Sequence, residues 1–229
     1  MSLLQLKSVE KIYGQGEIKV FALRGIDLAI EEGEFTTIFG PSGSGKTTLL
    51  NLIGALDKPT SGEVLFQKKS IVKMNQTEQA MHRRYNIGFI FQSYNLIPVL
   101  TAYENVEFAL TIAKKNKNGR SKEKVEDFLN QVGLGEMLQR RPKELSGGQN
   151  QRVAIARALV KEPKLVLADE PTANLDSKTS KEVLEIMVKM NRELKTTFIF
   201  STHDPMVMEY AGRLLEIRDG MISRDERRK

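Results

Sequence analysis

The hydrophobic pattern alternates between short apolar runs and segments with helical spacing. Eight runs rich in Leu, Ile, Val and Phe predict strands, at residues 4–9, 20–30, 34–39, 63–66, 87–91, 165–168, 197–200 and 213–217. Two sets of apolar residues recur at helical spacing, namely Val125, Phe128, Leu129 and Val132, and Val183, Met187, Met190 and Leu194. Residues 46–56 and 150–160 also predict helices. Strands alternating with helices favour an α/β fold with a largely parallel sheet, in which residues 93–154 form a helical insertion.

The composition is that of an ordinary globular protein, with 229 residues, of which 40% are hydrophobic and 28% charged. A chain of this length buries enough surface to fold without disulfides or metal. It has no cysteine, which excludes a disulfide framework. No apolar run approaches the roughly 20 residues that cross a bilayer, and the first residues do not resemble a signal peptide, so we expect a soluble chain.

A net charge of +6 adds little to this picture. The basic residues concentrate at 114–124 and 224–229, where acidic residues are interspersed. We expect a solvated loop and a frayed tail there. Nucleic-acid binding and docking on anionic lipid are the functional alternatives, but no aromatic residue interleaves with either cluster, which disfavours a stacking surface for single strands.

The segment GPSGSGKT at residues 40–47 matches the phosphate-binding pattern G-x-x-x-x-G-K-[ST] between a predicted strand and a predicted helix. Glycines permit a tight turn whose backbone N–H groups face phosphate oxygens at a helix N-terminus. Lys46 places a positive charge between two phosphates, and the Thr47 hydroxyl is a Mg²⁺ ligand. The predicted nucleotide-binding residues of this segment are Gly40, Pro41, Ser42, Gly43, Ser44, Gly45, Lys46, Thr47 and Thr48.

A second motif, LSGGQ, occupies residues 145–149 and is called here the signature motif. An apolar strand that ends in Asp169-Glu170 follows it. Ser146 and the two glycines offer a hydroxyl and backbone N–H groups at the start of a helix, which makes a second anion site; the local alternative is a plain helix-capping turn. The two motifs together resemble the ATP-binding subunit of an ABC transporter. The resemblance covers almost the whole chain.

The resemblance implies a fold and a domain organisation. The expected fold is a P-loop NTPase (RecA-like) α/β core with a mainly parallel sheet, an antiparallel β subdomain and an inserted α-helical subdomain. We expect one nucleotide-binding domain over residues 1–229. Residues 1–91 and 156–229 would form the catalytic core with its antiparallel part, and residues 92–155 the helical signature subdomain.

The resemblance also implies roles in ATP hydrolysis. Glu170 would polarise the attacking water and His203 would touch the γ-phosphate, with Gln92 and Lys46 completing the catalytic set. Thr47, Gln92 and Asp169 would be the Mg²⁺ ligands, and Tyr13 would stack on adenine. ATP and Mg²⁺ are therefore the expected ligands.

The signature motif implies a second copy of the chain. Ser146, Gly147, Gly148 and Gln149 would bind the γ-phosphate that the phosphate-binding loop of the other copy holds. Asp176, in ANLD at residues 173–176, resembles the residue that links the two sites across that interface. The expected assembly is a head-to-tail homodimer that closes on ATP.

Four segments, at residues 13–28, 49–64, 87–106 and 169–177, resemble the ATPases of lipoprotein-releasing, macrolide- or peptide-exporting and cell-division-associated systems. That branch implies an integral membrane permease partner and a peripheral location at the cytoplasmic face of the inner membrane. Residues 94–103 would contact the partner through apolar residues expected to be exposed, namely Leu96, Ile97, Val99 and Leu100. We expect no C-terminal regulatory domain after Gly220.

Two functions that share every motif stay open. The chain either drives transport or regulates a cell-wall or division machinery through a membrane partner without transport. A third function, a nucleic-acid ATPase, is disfavoured because such relatives carry a long coiled-coil insertion or two tandem heads, so no nucleic-acid partner is expected. The motifs specify neither the cargo nor the direction of transport.

Overall fold

The computed structural model describes residues 2–14, 19–113 and 121–228. Its described strands are β1 (Ser2–Tyr13), β2 (Val20–Glu31), β3 (Phe35–Phe39), β4 (Ser61–Phe66), β5 (Lys69–Ser70), β6 (Ile87–Phe91), β7 (Leu165–Asp169), β8 (Thr197–Thr202), β9 (Arg213–Arg218) and β10 (Met221–Arg227). Its described α-helices are α1 (Lys46–Ile53), α2 (Gln76–Asn86), α3 (Ala102–Ala113), α4 (Ser121–Gln131), α5 (Gly147–Leu159), α6 (Ser177–Leu194) and α7 (Pro205–Glu209). Most of the predicted basic loop, residues 114–120, lies outside the described residues.

The chain divides into two compact units, one of residues 1–83 with 197–229 and one of residues 84–196. Among the residues that the structure describes, no helix combines the length and the apolar character needed to cross a membrane. The domain boundaries predicted at residues 92 and 155 stay a prediction.

The first unit contains a four-stranded antiparallel sheet with the strand order β2-β1-β4-β5. Leu4 of β1 lies between Ile30 of β2 and Phe66 of β4, and all three side chains are buried. Alternation of buried and exposed positions is what a sheet with one covered face requires. This sheet is the predicted antiparallel β subdomain, so that part of the expected fold is confirmed.

The same unit contains a parallel set in which β3 lies between β8 and β9. Residues 35–38 of β3 and all of β8 are buried, so the side chains on both faces are covered, as parallel strands require. Phe39, the last residue of β3, pairs with Thr202, the last residue of β8. The segments that follow these strands, the phosphate-binding loop and His203, therefore leave the sheet at the same edge.

The basic tail is a strand and not a frayed end, which corrects the expectation. Residues 221–227 form β10, which pairs antiparallel with β9. Arg213 of β9 is buried and donates two hydrogen bonds to Asp225 of β10, at 2.8 and 2.7 Å, and one of 3.0 Å to Glu34 Oε2. The charged residues of the tail predict a frayed end, but one of them, Asp225, pairs with the buried guanidinium of Arg213.

The hydrophobic pattern of the sequence does not predict α2. Its sequence, QTEQAMHRRYN, is mostly polar, and its two buried residues are Gln79 and His82 rather than an apolar stripe. The helix begins with reciprocal hydrogen bonds between Asn75 and Glu78, each backbone N–H donating to the other side chain at 2.8 and 2.9 Å. The spacing of those two residues was the available signal.

The second unit is built around the parallel pair β6 and β7, in which Phe91 lies opposite Asp169. Helix α5 packs against α3, α4, α6 and β6. The predicted helix faces are confirmed, since Val125, Phe128 and Leu129 are buried on α4 and the α6 residues Val183, Met187 and Met190 are fully buried. Leu194 is only half-buried.

Two helix boundaries differ from the expectation. Helix α1 ends at Ile53 rather than at residue 56, because Gly54 caps it by donating to Leu50 O and Leu52 O. Helix α5 begins at Gly147 rather than at residue 150, because Ser146 is its N-cap. The signature glycines are therefore the first two residues of the helix and not part of a preceding loop.

Candidate active site

The phosphate-binding loop is held against neighbouring backbone at two glycines. A Cβ on Gly40 would lie 2.1 Å from the carbonyl oxygen of Ile217, and one on Gly45 would lie 2.5 Å from that of Ala22. Both glycines have positive φ, 149° and 108°. Any side chain at either position would push the loop out of place, so the loop depends on glycine for both its conformation and its close packing.

The start of α1 has no N-cap side chain. Its N-cap is Gly45, so the first turn has no side-chain cap, and the early N–H groups of a helix have no intrahelical acceptor. The hydroxyl of Ser44 is buried and has no hydrogen-bond partner among the described residues. A buried polar atom without a partner is costly, which favours a ligand at this place. A phosphate group fits these donors and the dipole of α1.

Lys46 begins α1 and is nearly buried. Its ammonium donates hydrogen bonds of 2.8 and 2.9 Å to the carbonyl oxygens of Gly40 and Pro41. The charge is thereby held over the loop that would receive the phosphates. A bound triphosphate gives the ammonium anionic acceptors in exchange for two neutral carbonyls, and such charge-assisted hydrogen bonds are the stronger ones.

Tyr13 ends β1 and is 41% exposed. Its hydroxyl donates to Asp57 Oδ2 at 2.8 Å. Burial raises the pKa of Tyr13, the hydrogen bond with Asp57 raises it further, and a hydrogen bond with Thr48 opposes the rise. The contact with Thr48 brings the ring beside the predicted nucleotide-binding segment within the first unit.

His203 is exposed immediately after β8. Asp204 is the N-cap of α7 and accepts a hydrogen bond of 2.9 Å from Met206 N. His203 therefore precedes the cap and is not itself part of the helix start. Its place beyond the carboxyl end of a parallel strand is where ligands of α/β sheets bind.

The predicted catalytic residues of the second unit follow its two parallel strands. Gln92 comes after β6, and Asp169 and Glu170 end and follow β7, so the three residues leave the strand pair at one edge. Glu170 has a φ of 48°, a left-handed conformation that non-glycine residues rarely adopt. Strained backbone of this kind concentrates at functional positions.

The predicted Mg²⁺ ligands are distributed over both units, with Thr47 in the first and Gln92 and Asp169 in the second. Their hydroxyl, amide and carboxylate oxygens are the donor types that Mg²⁺ prefers. Within residues 2–14, 19–113 and 121–228, no three His, Cys, Asp or Glu side chains form a group able to hold a metal ion.

The signature segment forms a capping box at the start of α5. Ser146 Oγ accepts from Gln149 N at 3.3 Å, and Gln149 Oε1 accepts from Ser146 N at 2.9 Å. The helix-capping alternative is thus present in the structure. It is compatible with anion binding, because Gly147 and Gly148 follow the cap and lie in the first turn of the helix.

Asp176 is the N-cap of α6 and is organised by Thr179. Thr179 donates to both carboxylate oxygens, from its backbone N at 3.0 Å and from its hydroxyl at 2.6 Å, and these hydrogen bonds lower the pKa of Asp176. The methyl group of the same threonine lies against the signature, since a Cβ on Gly148 would be 2.2 Å from Thr179 Cγ2. The predicted interface residue and the signature glycine are therefore connected within one chain.

Sequence reasoning missed two side chains that hold the segment after Gln92. Asn174 Nδ2 donates to the carbonyl oxygen of Gln92 at 2.9 Å. Arg157 of α5 donates to the carbonyl oxygens of Tyr94 and Asn95. An arginine in the run VAIARALV was the one available signal, because a charge there interrupts an otherwise apolar helix.

The structure defines a nucleotide-binding cassette, and comparison with known proteins gives the family. The sequence profile of the ABC transporter family matches residues 23–173, about two thirds of the chain. The chain belongs to the ABC transporter family. It is an ATP-binding cassette, the class of subunit in which this family hydrolyses ATP, so the predicted resemblance and fold class are confirmed.

Relatives with full-length and partial overlap support the assignment. The chain is 48% identical over 225 residues to the macrolide export ATP-binding/permease protein MacB of Syntrophobacter fumaroxidans, covering 97% of this chain but only 31% of MacB. It is also 48% identical over 220 residues to the uncharacterized ABC transporter ATP-binding protein MJ1508 of Methanocaldococcus jannaschii, covering 96% and 97% of the two chains. The chain thus spans less than a third of MacB and nearly all of MJ1508.

A solved structure matches the whole fold. The ATP-binding cassette MJ0796, a protein of Methanocaldococcus jannaschii, is described as a dimer in a post-hydrolysis state bound to ADP and Pi. It superposes with a TM-score of 0.90 at 43% identity, over 98% of each chain.

Proposed function

We propose that the chain hydrolyses ATP as the motor subunit of an export-type or lipoprotein-releasing transporter, and that ATP-dependent dimerisation drives its membrane partner. The observation that carries the proposal lies in the phosphate-binding loop. Among the described residues, the start of α1 has no side-chain cap, and the buried hydroxyl of Ser44 has no hydrogen-bond partner. The 48% identity to a macrolide export protein supports the export branch.

The first unit would bind the nucleotide. The N–H groups of the loop and of the first turn of α1 would receive phosphate oxygens, and Lys46 would exchange its two loop carbonyls for the β- and γ-phosphates. Tyr13 would stack on the base. Thr47, with Gln92 and Asp169 of the second unit, would hold Mg²⁺, which neutralises charge on the phosphates during transfer.

The hydrolytic step would depend on positioned polar groups. Glu170 would orient and polarise the attacking water from its left-handed backbone position directly after β7. Gln92 would contribute its amide to the same water, and its own carbonyl is held by Asn174. His203 would contact the γ-phosphate.

A second copy of the chain would complete the site. Ser146, Gly147, Gly148 and Gln149 would present the start of α5 to the γ-phosphate held by the partner copy. The dimer reported for MJ0796 supports the pairing of two copies. Asp176, ordered by Thr179, would stand next to that interface.

A groove in the second unit would receive the membrane partner. It encloses about 360 Å³, and the residues that line it, called here the docking groove, are Arg84, Phe89, Phe91, Asn95, Ile97, Phe108, Ala109, Ile112, Arg157, Ala158 and Lys161. The lining combines an apolar floor with three basic side chains and no acidic one. A short partner helix with apolar anchors and an acidic residue fits this lining.

The groove changes the expectation for residues 94–103. Val99 is 70% exposed, but Leu96, Ile97 and Leu100 are half-buried, so these residues do not form one exposed apolar strip. Ile97 contributes to the docking groove, whereas the larger exposed surface comes from Phe108 and Ile112 of α3. With such a partner the cassette would be peripheral at the cytoplasmic face of the inner membrane.

Affinity capture tests the partner. Tagged Glu170→Gln chain, loaded with ATP and incubated with detergent-solubilised membranes of its source organism, should retain a polytopic membrane subunit. Phe108→Asp should lose that subunit, because it puts a charge on the apolar floor of the docking groove. Met221→Asp, at another exposed apolar residue, should retain it.

The identity of the captured subunit separates the two open functions. A transport subunit supports the export proposal, and a subunit whose extracytoplasmic domain binds a cell-wall enzyme supports regulation without transport. Capture that survives Phe108→Asp would place the docking surface elsewhere. Retention of nucleic acid alone would contradict the proposed branch.

A further inference from the structure

Three side chains of the first unit form a closed cluster at the end of β1. Asp57 accepts a hydrogen bond from Lys11 Nζ at 2.8 Å on one carboxylate oxygen and from the Tyr13 hydroxyl at 2.8 Å on the other. The Lys11 ammonium also lies 4.7 Å from the centroid of the Tyr13 ring. Each member of this Lys11–Asp57–Tyr13 cluster therefore contacts the other two.

The position of Lys11 shows which face of the Tyr13 ring is covered. The cation of Lys11 covers one face, and Tyr13 is nevertheless 41% exposed. A base that stacks on Tyr13 would use the face opposite Lys11. A cation on one ring face and an aromatic ligand on the other is an electrostatically favourable arrangement.

Asp57 is itself anchored to the strand that carries the ring. It follows α1, and its carboxylate accepts a hydrogen bond of 2.7 Å from Lys58 N. Two residues beyond Lys58, Thr60 N donates to Glu10 O at 2.8 Å, and the Thr60 hydroxyl accepts from Ile12 N at 3.0 Å. The loop after α1 is thus joined to the end of β1, so the ring is held relative to the helix whose first turn would bind phosphate.

The carboxylate is charged when it makes these contacts. Burial raises the pKa of Asp57, but hydrogen bonds from Lys11, Tyr13 and the backbone of Lys58 outweigh it and hold the pKa below its usual value. At neutral pH Asp57 therefore accepts from both side chains as an anion, and hydrogen bonds to a charged acceptor are stronger than neutral ones.

We propose that Lys11 and Asp57 are positioning residues for the base of the nucleotide, because they fix the Tyr13 ring, with one face covered by Lys11, at a set place relative to the phosphate-binding loop. This inference rests on the proposed function, in which Tyr13 stacks on the base.

The test compares a ligand that has a base with one that lacks it. ADP and inorganic pyrophosphate are titrated calorimetrically against the full chain, since neither is consumed by hydrolysis. Asp57→Ala and Tyr13→Phe should each weaken ADP binding about 3- to 10-fold and leave pyrophosphate binding unchanged. The double variant should bind ADP no more weakly than Asp57→Ala alone, because both changes break the same hydrogen bond, the one between Tyr13 and Asp57. Glu63→Gln, which removes a surface charge in the same unit, should change neither affinity.

Tyr13→Ala separates this inference from the proposed function. If it weakens ADP but Asp57→Ala and Tyr13→Phe do not, the positioning inference is overturned and the stacking role stands. If Tyr13→Ala leaves ADP binding unchanged, both are overturned. Equal losses of ADP and pyrophosphate affinity in Asp57→Ala would also overturn the inference, because they indicate a general structural role. If Asp57→Ala fails to fold, the ADP affinity of Tyr13→Phe, which keeps the ring, tests the positioning role instead.

Discussion

The guanidinium of Arg157 donates a hydrogen bond of 2.7 Å to the backbone carbonyl oxygen of Tyr94. A second hydrogen bond, of 2.5 Å, reaches the carbonyl of Asn95. Tyr94 and Asn95 both have left-handed backbone, with φ of 59° and 47°. Arg157 is on the signature helix α5, so one side chain connects that helix to a strained turn that also borders the docking groove.

Loss of the Arg157 side chain should therefore lower the stability of the folded chain. Arg157→Ala leaves two carbonyls of a strained turn without their charged donor, and we expect the free energy of unfolding to fall by about 2–4 kcal/mol. Arg157→Lys should recover only part of the lost free energy of unfolding. A lysine ammonium keeps the positive charge but lacks the fork of N–H donors with which the guanidinium reaches both carbonyls. Urea unfolding measures both values. Arg192→Ala, at an exposed residue of α6, should change the free energy by less than about 0.5 kcal/mol, and a similar loss there would contradict the explanation.

The contact between Gly148 and Thr179 predicts a substitution and its rescue. Gly148→Ala places a methyl group 2.2 Å from Thr179 Cγ2 and should lower the free energy of unfolding by about 1–3 kcal/mol. Thr179→Ser removes that methyl group but keeps the hydroxyl that donates to Asp176. The double variant should therefore regain most of the stability in urea unfolding. No recovery would mean that the clash is not what makes alanine unfavourable.

Lys46→Ala should reduce ATP turnover by at least about 100-fold, because it removes the positive charge held over the loop. The same change also removes two hydrogen bonds to loop carbonyls, so steady-state hydrolysis is measured together with the unfolding midpoint. Lys189→Ala, at an exposed lysine of α6, is the matched control and should retain activity. Turnover at the unaltered rate in Lys46→Ala would contradict the assignment of the loop.

Stability should decline in mild acid because of His82. Burial, and secondarily the charge of Arg83, lower the pKa of His82 from 6.5 to about 4, and its ring packs edge-on against Phe66 at 4.6 Å. Between these pH values the unfolded chain binds a proton that the folded chain does not, so the folded state loses stability as pH falls from about 6.5 toward 4, by at most about 3 kcal/mol. His82→Leu should show a shallower decline in unfolding free energy over that range. Parallel curves for the two proteins would exclude His82 as the cause.

The phosphate-binding loop and the strand ends could be predicted from sequence because their requirements are local. A glycine pattern between an apolar strand and a helix has few structural solutions, and Asp169 ends a strand whose preceding residues form a continuous apolar run. The predicted faces of α4 and α6 were recovered for the same reason, since burial follows the helical period.

Elements that depend on tertiary partners could not be predicted in this way. The sequence of strand β10 resembles a charged tail. Only the fold shows that Asp225 pairs with the buried Arg213, twelve residues earlier. Helix α2 buries polar Gln79 and His82, which a hydrophobic pattern does not register. The side chains that hold the predicted site residues, Arg157 and Asp57, likewise act through contacts over 44 or more positions in sequence.

The proposed mechanism depends on ATP closing two copies of this chain. The most direct measurement is light scattering of Glu170→Gln with saturating ATP and Mg²⁺, starting from a monomer of 25.9 kDa. We predict that the mass doubles with ATP but not with ADP, and that adding Lys46→Ala abolishes the change. A protein that stays monomeric with ATP bound would contradict the head-to-tail dimer and the mechanism built on it.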